Sequence, residues 1–490
     1  MFKFIKSYPV ASVLFILAFA IGIYTRIVMP QLAYTEFQGD QAINSFVHSK
    51  MLDQGFVPYG PISSIGKYLI PGSYYTVLML FSLGNTVPNF HILANSVCSL
   101  LTIPLFGFLI YRAFKIFKNV FLISAFACFC WSIFTVDLFF AGFDWNPNSV
   151  TFFWMLLIVI FELIYSRFIL TWKANFAWFG QGIILGILLG LHSSSLFIAP
   201  IIFIINTAYI SFTHKSMRWL YSILGFLLIM FPYLSSELQT SFQNTKQIIN
   251  IVFTQNTESH TIVQKLDHLL DPIRSIANTI YFSQTNMPGI TFSLVLIVIV
   301  LGSIFYKGRQ FYLWNYILTF GLFVLVSNSY WGALHMHYLV LVWSVPMFFV
   351  ISLMFSISTN IFKKYIAILL LILGFGFYIQ QSLEGISNVY QNKFGTNRLV
   401  NLVDMKLALS KLPSQGIVCT PVYGLSLRYI NSIDMITPMS IQEKCDDKST
   451  LEFVENYQGY GFNLALKNKY DFTNKNIFYK SEAFTIVNLK

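Results

Sequence analysis

The sequence predicts a mainly α-helical, polytopic membrane bundle with a small α/β domain at its C-terminal end. Composition, the length of the apolar runs and the placement of charge carry that prediction. The 490 residues are 56% hydrophobic and 10% charged, whereas a soluble domain carries about 25% charged residues. Apolar runs recur at the ~20 residues that a helix needs to cross a bilayer. From about residue 382 the chain turns polar.

About eleven runs qualify as spans, near 9–29, 91–111, 120–140, 147–166, 177–192, 195–212, 218–235, 289–306, 311–327, 337–357 and 364–381. The first follows Lys3 and Lys6, as a signal peptide would, but its apolar stretch is long and no small-residue cleavage site follows. It is therefore read as a retained span. With the N-terminus in the cytoplasm, the inner edges carry Arg112, Lys115, Lys118, Arg167, Lys173, Lys215, Arg218, Lys307, Arg309, Lys363 and Lys364. The short outer turns 138–147, 192–195 and 328–336 carry no Lys or Arg, as the positive-inside rule requires. Counting 72–83 as a further span would invert this asymmetry, so that stretch is placed in the outer interface, together with the other helical parts of the first outer loop.

This topology gives a membrane module, 1–381, with outer loops at about 31–90 and 236–288, and an extracytoplasmic α/β domain, 382–490. The second loop contains an amphipathic stretch, 262–282, that suits the membrane surface. In the polar region 417–420, 433–437 and 483–489 read as strands and 398–412 as a helix. Cys98, Cys128 and Cys130 fall in spans as small apolar packers, while Cys419 and Cys445 fall outside and suit a disulfide in an oxidising compartment. The net charge of +11 lies at membrane edges and forms no basic patch interleaved with aromatics, so nucleic acid is not an expected partner. No phosphate-binding glycine loop, zinc spacing or inverted repeat is present in the sequence.

Five polar groups fall on the outer face. Asp40 opens a helical pattern (Ile43, Phe46, Val47, Met51) and suits either an N-cap or a general base. The turn 141–148 holds Asp144, Trp145, Asn146 and Asn148. An acid, an indole and two amides can bind a sugar, but they can equally cap the next span, with Pro147 in its first turn. His192 lies in a tight turn between spans. His335, His337 and Tyr338 line another outer edge, where the histidines make a poor metal pair and suit either interfacial anchoring or hydrogen bonds to a phosphate. Lys67, in an aromatic stretch of the first loop, is the remaining phosphate candidate, and it could also snorkel to headgroups.

Over about residues 1–380 the chain resembles the GT-C membrane glycosyltransferases, in particular the bacterial branch similar to protein O-mannosyltransferases and the lipid A aminoarabinose transferase. The resemblance rests on Gly39-Asp40 after the first span, a helical segment ending at Gly55, Gly60-Pro61, the stretch 74–84, the turn 143–148 and His337-Tyr338-Leu339 with Pro346. The family often has Asp-Glu where this chain has Asp40-Gln41. The resemblance implies a polyprenyl-phosphate sugar donor, an envelope lipid, glycan or protein acceptor, and an inverting single displacement in a bacterial inner membrane. It implies Asp40 as general base, Asp144 as a group that orients the acceptor or assists the base, and Lys67, His335 and His337 on the leaving phosphate. It implies no cofactor and does not favour a divalent metal. A transporter or lipid-linked sugar flippase is the competing class, but it needs ionisable groups mid-span, and the span acids Asp137 and Glu162 lie near span ends. A non-catalytic envelope scaffold is the third class.

Overall fold

The computed structural model describes residues 7–29, 39–54, 57–62, 69–75, 78, 88–142, 145–167, 172–254, 264, 270–276, 298–304, 306–328, 336–357, 376, 378–380, 382–384, 386–387, 393–394, 397–398, 402–413, 417–420, 440–442, 449, 451–455, 477–480 and 484–488.

The protein is a bundle of apolar helices. In chain order they are α1 (Pro9–Ile23, continued by a π-helical turn Tyr24–Val28), α2 (Gly39–Gln54), α3 (Pro88–Phe114), α4 (Val120–Ser132), α5 (Thr135–Ala141), α6 (Val150–Tyr165), α7 (Trp172–Leu191), α8 (Ser193–His214), α9 (Leu220–Gln239), α10 (Gln243–Thr254), α11 (Gln310–Asn328) and α12 (Ser344–Ile357). Among the described residues seven helices are long and apolar enough to cross a membrane, and α4 with α5 makes an eighth, bent by 55°. These eight coincide with expected spans. The expected span 337–357 contains the shorter apolar helix α12, and most of 289–306 and 364–381 lies outside the described residues. Val10, Val13, Ile16 and Leu17 of α1 are exposed and apolar, as a lipid-facing surface requires.

Close packing depends on small residues, as membrane helices need where apolar surface alone gives no drive to associate. Gly182 of α7 lies so near α9 that a Cβ there would stand 1.8 Å from the Ser222 carbonyl oxygen. Two turns on, a Cβ at Gly190 would stand 2.3 Å from Ser73 Oγ in the first loop. That closeness lets Ser73 Oγ donate to the Gly186 carbonyl at 2.7 Å.

Side-chain bonds tie alternate helix ends into two poles. At one, Arg112 donates to Glu162 at 2.8 and 2.9 Å and to Ser166 at 2.8 Å, Arg309 also pairs with Glu162, and Arg167 donates to His214 at 3.2 Å. Arg112, Arg167 and Arg309 are among the residues expected at inner edges. At the other pole, the beginning of α6 is bonded to α3, to the end of α7 and to Val340. Arg26, in the π-helical turn that ends the first span, is fully buried and paired with Asp137 at 2.9 Å. Asp137 and Glu162, the acids of the expected spans, are thus held in buried ion pairs.

The first loop contributes α2 and an antiparallel hairpin, β1 (Tyr59–Ile62) with β2 (Leu69–Pro71), Tyr59 opposite Pro71 and Ile62 opposite Leu69. Tyr74, Tyr75 and Leu78, in the stretch assigned to the interface, are buried in the bundle core. In the polar region, β3 (Lys393–Phe394) and β4 (Asn397–Arg398) pair antiparallel, and α13 (Leu402–Lys411) follows. A mixed sheet then runs in the order β6 (Ser440–Gln442), β5 (Ile417–Cys419), β7 (Leu451–Glu455), β9 (Phe484–Asn488), β8 (Ile477–Lys480), with β5 parallel to both neighbours. The expected helix and the strands at 417–420 and 483–489 are present in this arrangement, and 433–437 lies outside the described residues. Met405, Ala408 and Leu409 form the buried stripe of α13. Cys98, Cys128 and Cys130 are free. Cys419 is disulfide-bonded, and Cys445 lies outside the described residues.

Candidate functional site

The polar groups of the second pole meet around one short turn. Trp145, in extended backbone, caps a 3-10 turn (Asn146–Ser149) that runs into α6, with Pro147 in its first turn as the sequence suggested. Asn146 Nδ2 donates to the Leu191 carbonyl, one residue before His192. Asn148 Nδ2 donates to Phe140 O at 2.5 Å, Ser149 Oγ to Asn95 Oδ1 at 2.8 Å, and Thr151 Oγ1 to Val340 O at 2.5 Å. The turn 145–149 is thereby tied to α3, α5, α7 and the segment after Tyr338. The amide nitrogens of Asn146 and Asn148 bind this framework.

Trp145 is half-buried and stacks on Phe140, with ring centroids 6.0 Å apart and planes 23° apart. His192 stands at the start of α8 in extended backbone, and its Nδ1 accepts the Ser194 N–H at 3.2 Å. The imidazole ring lies 5.3 Å from that of Tyr338. The structure therefore brings Trp145, Asn146, Asn148, His192 and Tyr338 to one place from three separate segments. Asp40 is the second residue of α2 rather than its N-cap, and its side chain, like that of His337, is not among those described. The backbone of His337 lies in the 3-10 turn Met336–Leu339. Lys67, Asp144 and His335 lie outside the described residues.

Burial pushes the His192 imidazole down to about 3, so at neutral pH it is uncharged and acts through hydrogen bonds. The ring binds its proton more readily when the chain is unfolded, so its stabilising contribution is full above the unfolded value near 6.5 and declines as pH falls toward 3. Lowering the pH from 7 to 5 should cost the wild type about 2 kcal/mol through this group. His192→Asn, which keeps an acceptor for the Ser194 N–H, should unfold in detergent with a flatter pH dependence. Equal slopes would show that His192 is not the titrating group.

Sequence reasoning missed Asn95, Tyr74, Tyr75 and Asn44. Asn95 Oδ1 accepts from both Tyr74 OH (3.1 Å) and Ser149 Oγ, while its Nδ2 donates to Trp145 O at 3.3 Å. Tyr75 OH donates to Asn44 Oδ1 at 2.7 Å, which fixes α2 against the bundle. The available signal was Asn95, Ser96 and Ser99 on one face of an otherwise apolar span.

Among solved structures, the chain matches ArnT from Cupriavidus metallidurans bound to undecaprenyl phosphate with a TM-score of 0.54 at 9% identity, over 96% of this chain and 97% of that one. It matches the Archaeoglobus fulgidus oligosaccharyltransferase in the apo form with a TM-score of 0.54 at 11% identity, over 91% of this chain and 69% of that one. It also matches AglB from that organism, in complex with an inhibitory peptide and a dolichol-phosphate, with a TM-score of 0.51 at 13% identity, over 91% of this chain and 65% of that one. The chain has the GT-C fold. No family model matches the sequence, and no curated protein matches it. Within the GT-C fold, the turn 145–149, His192, Tyr338 and the first-loop helix α2 share the pole opposite the Arg112–Glu162–Arg309 cluster. Among the described residues no group of three or more His, Cys, Asp and Glu could hold a metal ion.

Proposed function

We propose that the protein is an integral membrane glycosyltransferase that moves a sugar from a polyprenyl-phosphate donor to an envelope lipid, glycan or protein acceptor at the outer face. One observation carries this reading. The fold match runs over nearly the whole chain to a protein solved with undecaprenyl phosphate, and a second match was solved with a dolichol-phosphate. The convergence of aromatic and hydrogen-bonding groups around the turn 145–149 supports it. The ion pairs of Asp137 and Glu162, and the place of Glu237 near the end of α9, weigh against a transport pathway.

In the proposed reaction the Asp40 carboxylate takes the proton of an acceptor hydroxyl. The acceptor oxygen forms a bond to the anomeric carbon as the bond from that carbon to the phosphate oxygen breaks, inverting the configuration and releasing polyprenyl phosphate. Lys67, His335 and His337 stabilise the departing phosphate through charge or hydrogen bonds. Asp144 orients the acceptor, and Trp145 offers a ring face to the sugar. His192, uncharged, is a hydrogen-bonding member of the site.

Orientation belongs to the same proposal: an inner-membrane protein with a cytoplasmic N-terminus and an extracytoplasmic region from 382 to 490. The bond at Cys419 supports it, because disulfides persist in oxidising compartments. Reporter fusions at residues 60 and 430 should both read as outside, and a cytoplasmic signal from both would overturn the topology. The function is tested by reconstituting the protein in vesicles with a labelled polyprenyl-phosphate sugar and envelope extract. Label should move to an acceptor and leave free polyprenyl phosphate. Retention of label on the donor across all extracts would refute the transferase reading.

A further inference from the structure

The end of α9 makes a turn that the sequence gives no reason to expect. Ser241 and Phe242 both adopt left-handed backbone, with φ of 53° and 59°. Two successive non-glycine residues there are costly, and for a bulky Phe the conformation is uncommon. Such strain persists only where surrounding contacts impose it. Glu237 supplies them: Phe242 N–H donates to its carbonyl at 2.7 Å, and its Oε2 accepts from Thr245 N–H at 2.9 Å and Thr245 Oγ1 at 2.6 Å. The turn therefore folds the first residues of α10 back over the end of α9.

What this achieves is contact with the first loop. Asn244, brought round by the turn, makes a reciprocal pair with β2: Leu69 N–H donates to Asn244 Oδ1 at 2.7 Å, and Asn244 Nδ2 donates to Leu69 O at 2.9 Å. A single amide thus satisfies both backbone groups of one residue, as an added strand would. The other oxygen of Glu237 accepts from Tyr59 OH of β1 at 2.9 Å, and the Tyr59 ring meets Tyr233 edge-on at 5.6 Å. Glu237 is fully buried, yet among the described residues its partners are hydroxyls and an N–H rather than a cation. A buried carboxylate in place of an apolar side chain is expensive, and here one oxygen holds the α9–α10 turn while the other bonds the first loop.

We propose that Glu237 and Asn244 are positioning residues: they clamp the 59–71 hairpin, whose connection carries Lys67, to the start of the second outer loop, and so set how the lipid-linked donor's phosphate is held. The proposal rests on the transferase reading above.

Hydrogen exchange at the Leu69 amide reports the clamp without reference to catalysis. Asn244→Ala removes both bonds to β2 and should speed that exchange about tenfold or more. In the vesicle assay kcat/KM for the donor should fall about tenfold, with the acceptor KM changing less than about twofold, a split that general loss of structure would not produce. Tyr59→Phe deletes one hydroxyl and keeps the ring on Tyr233, so it serves if Asn244→Ala fails to fold; it should shift both readouts in the same direction by a smaller factor. Unchanged exchange at Leu69 in a folded variant overturns the clamp even if the wild type transfers sugar. Faster exchange with no change in donor kcat/KM, or with no transfer by the wild type, overturns its assignment to donor binding and leaves only a structural latch.

Discussion

Replacing Asp40 with Asn should lower the rate of sugar transfer by about 10²–10⁴, the usual contribution of a general base, while leaving donor binding and protein yield near wild type. The substitution keeps the shape of the side chain and removes its ability to take a proton. Its structural cost is small: Asp40 lies in the first turn of α2, where a negative charge contributes about 0.3–1 kcal/mol through the helix dipole. The helix itself is held independently, one turn further on, by the bond from Tyr75 OH to Asn44 Oδ1. A loss of activity therefore reads as lost chemistry rather than a displaced helix. Tyr75→Phe provides the contrast. It removes one hold on α2 without touching the carboxylate, so its residual activity should retain the wild-type pH profile, whereas that of Asp40→Asn should lose its acid limb. Transfer by Asp40→Asn at the wild-type rate would remove Asp40 from the reaction.

The spans were legible because a helix that crosses a membrane must satisfy its own backbone and be apolar over a fixed length. Local sequence carries both properties. The alternation of charge then placed the turn 145–149, His192 and Tyr338 at one pole, and the structure joins them through Leu191 and Val340. What the sequence could not show depends on partners far along the chain. The apolar run 120–140 reads as one helix, but α4 stops at Ser132 and bends into α5 because Arg26 takes up the freed carbonyls of Trp131 and Ser132. Asn95, Glu237 and Asn244 look like incidental polar residues until Trp145, Tyr59 and Leu69 arrive beside them. The strands β6, β7 and β8 are short, and β6 and β7 pair with strands distant in the chain, so no periodic pattern announced them. The stretch 72–83 is too short to span and was therefore placed at the interface. Three of its members, Tyr74, Tyr75 and Leu78, are buried in the bundle core, where the Tyr74 hydroxyl finds Asn95 on α3 and the Tyr75 hydroxyl finds Asn44 on α2.

Arg26→Ala should destabilise the protein by about 3–5 kcal/mol, because removing one partner of a buried pair leaves the other charge uncompensated. The fully buried guanidinium donates to Asp137 Oδ2 at 2.9 and 3.3 Å, to Ser99 Oγ at 2.7 Å, and to the carbonyls of Ser132 and Trp131 at 2.8 and 3.0 Å. Its loss strands a carboxylate and two helix-end carbonyls together, against a total stability that is typically only about 5–15 kcal/mol. Thermal unfolding in detergent should show a large drop for Arg26→Ala and for Asp137→Ala. The double variant Arg26→Met with Asp137→Leu should be more stable than either single change, since no charge is left buried. It should still fall below wild type, because the Trp131 and Ser132 carbonyls at the bend remain without their donor, at about 1–3 kcal/mol each. A double variant no better than the singles would mean that the helix break, rather than the charge pair, is what Arg26 sustains. Single variants that unfold with the wild type would mean that it sustains neither. Activity provides a further check: α5 begins at this bend and its Phe140 stacks on Trp145, so variants that fold with a relaxed bend should lose transfer activity in proportion to the displacement of Trp145.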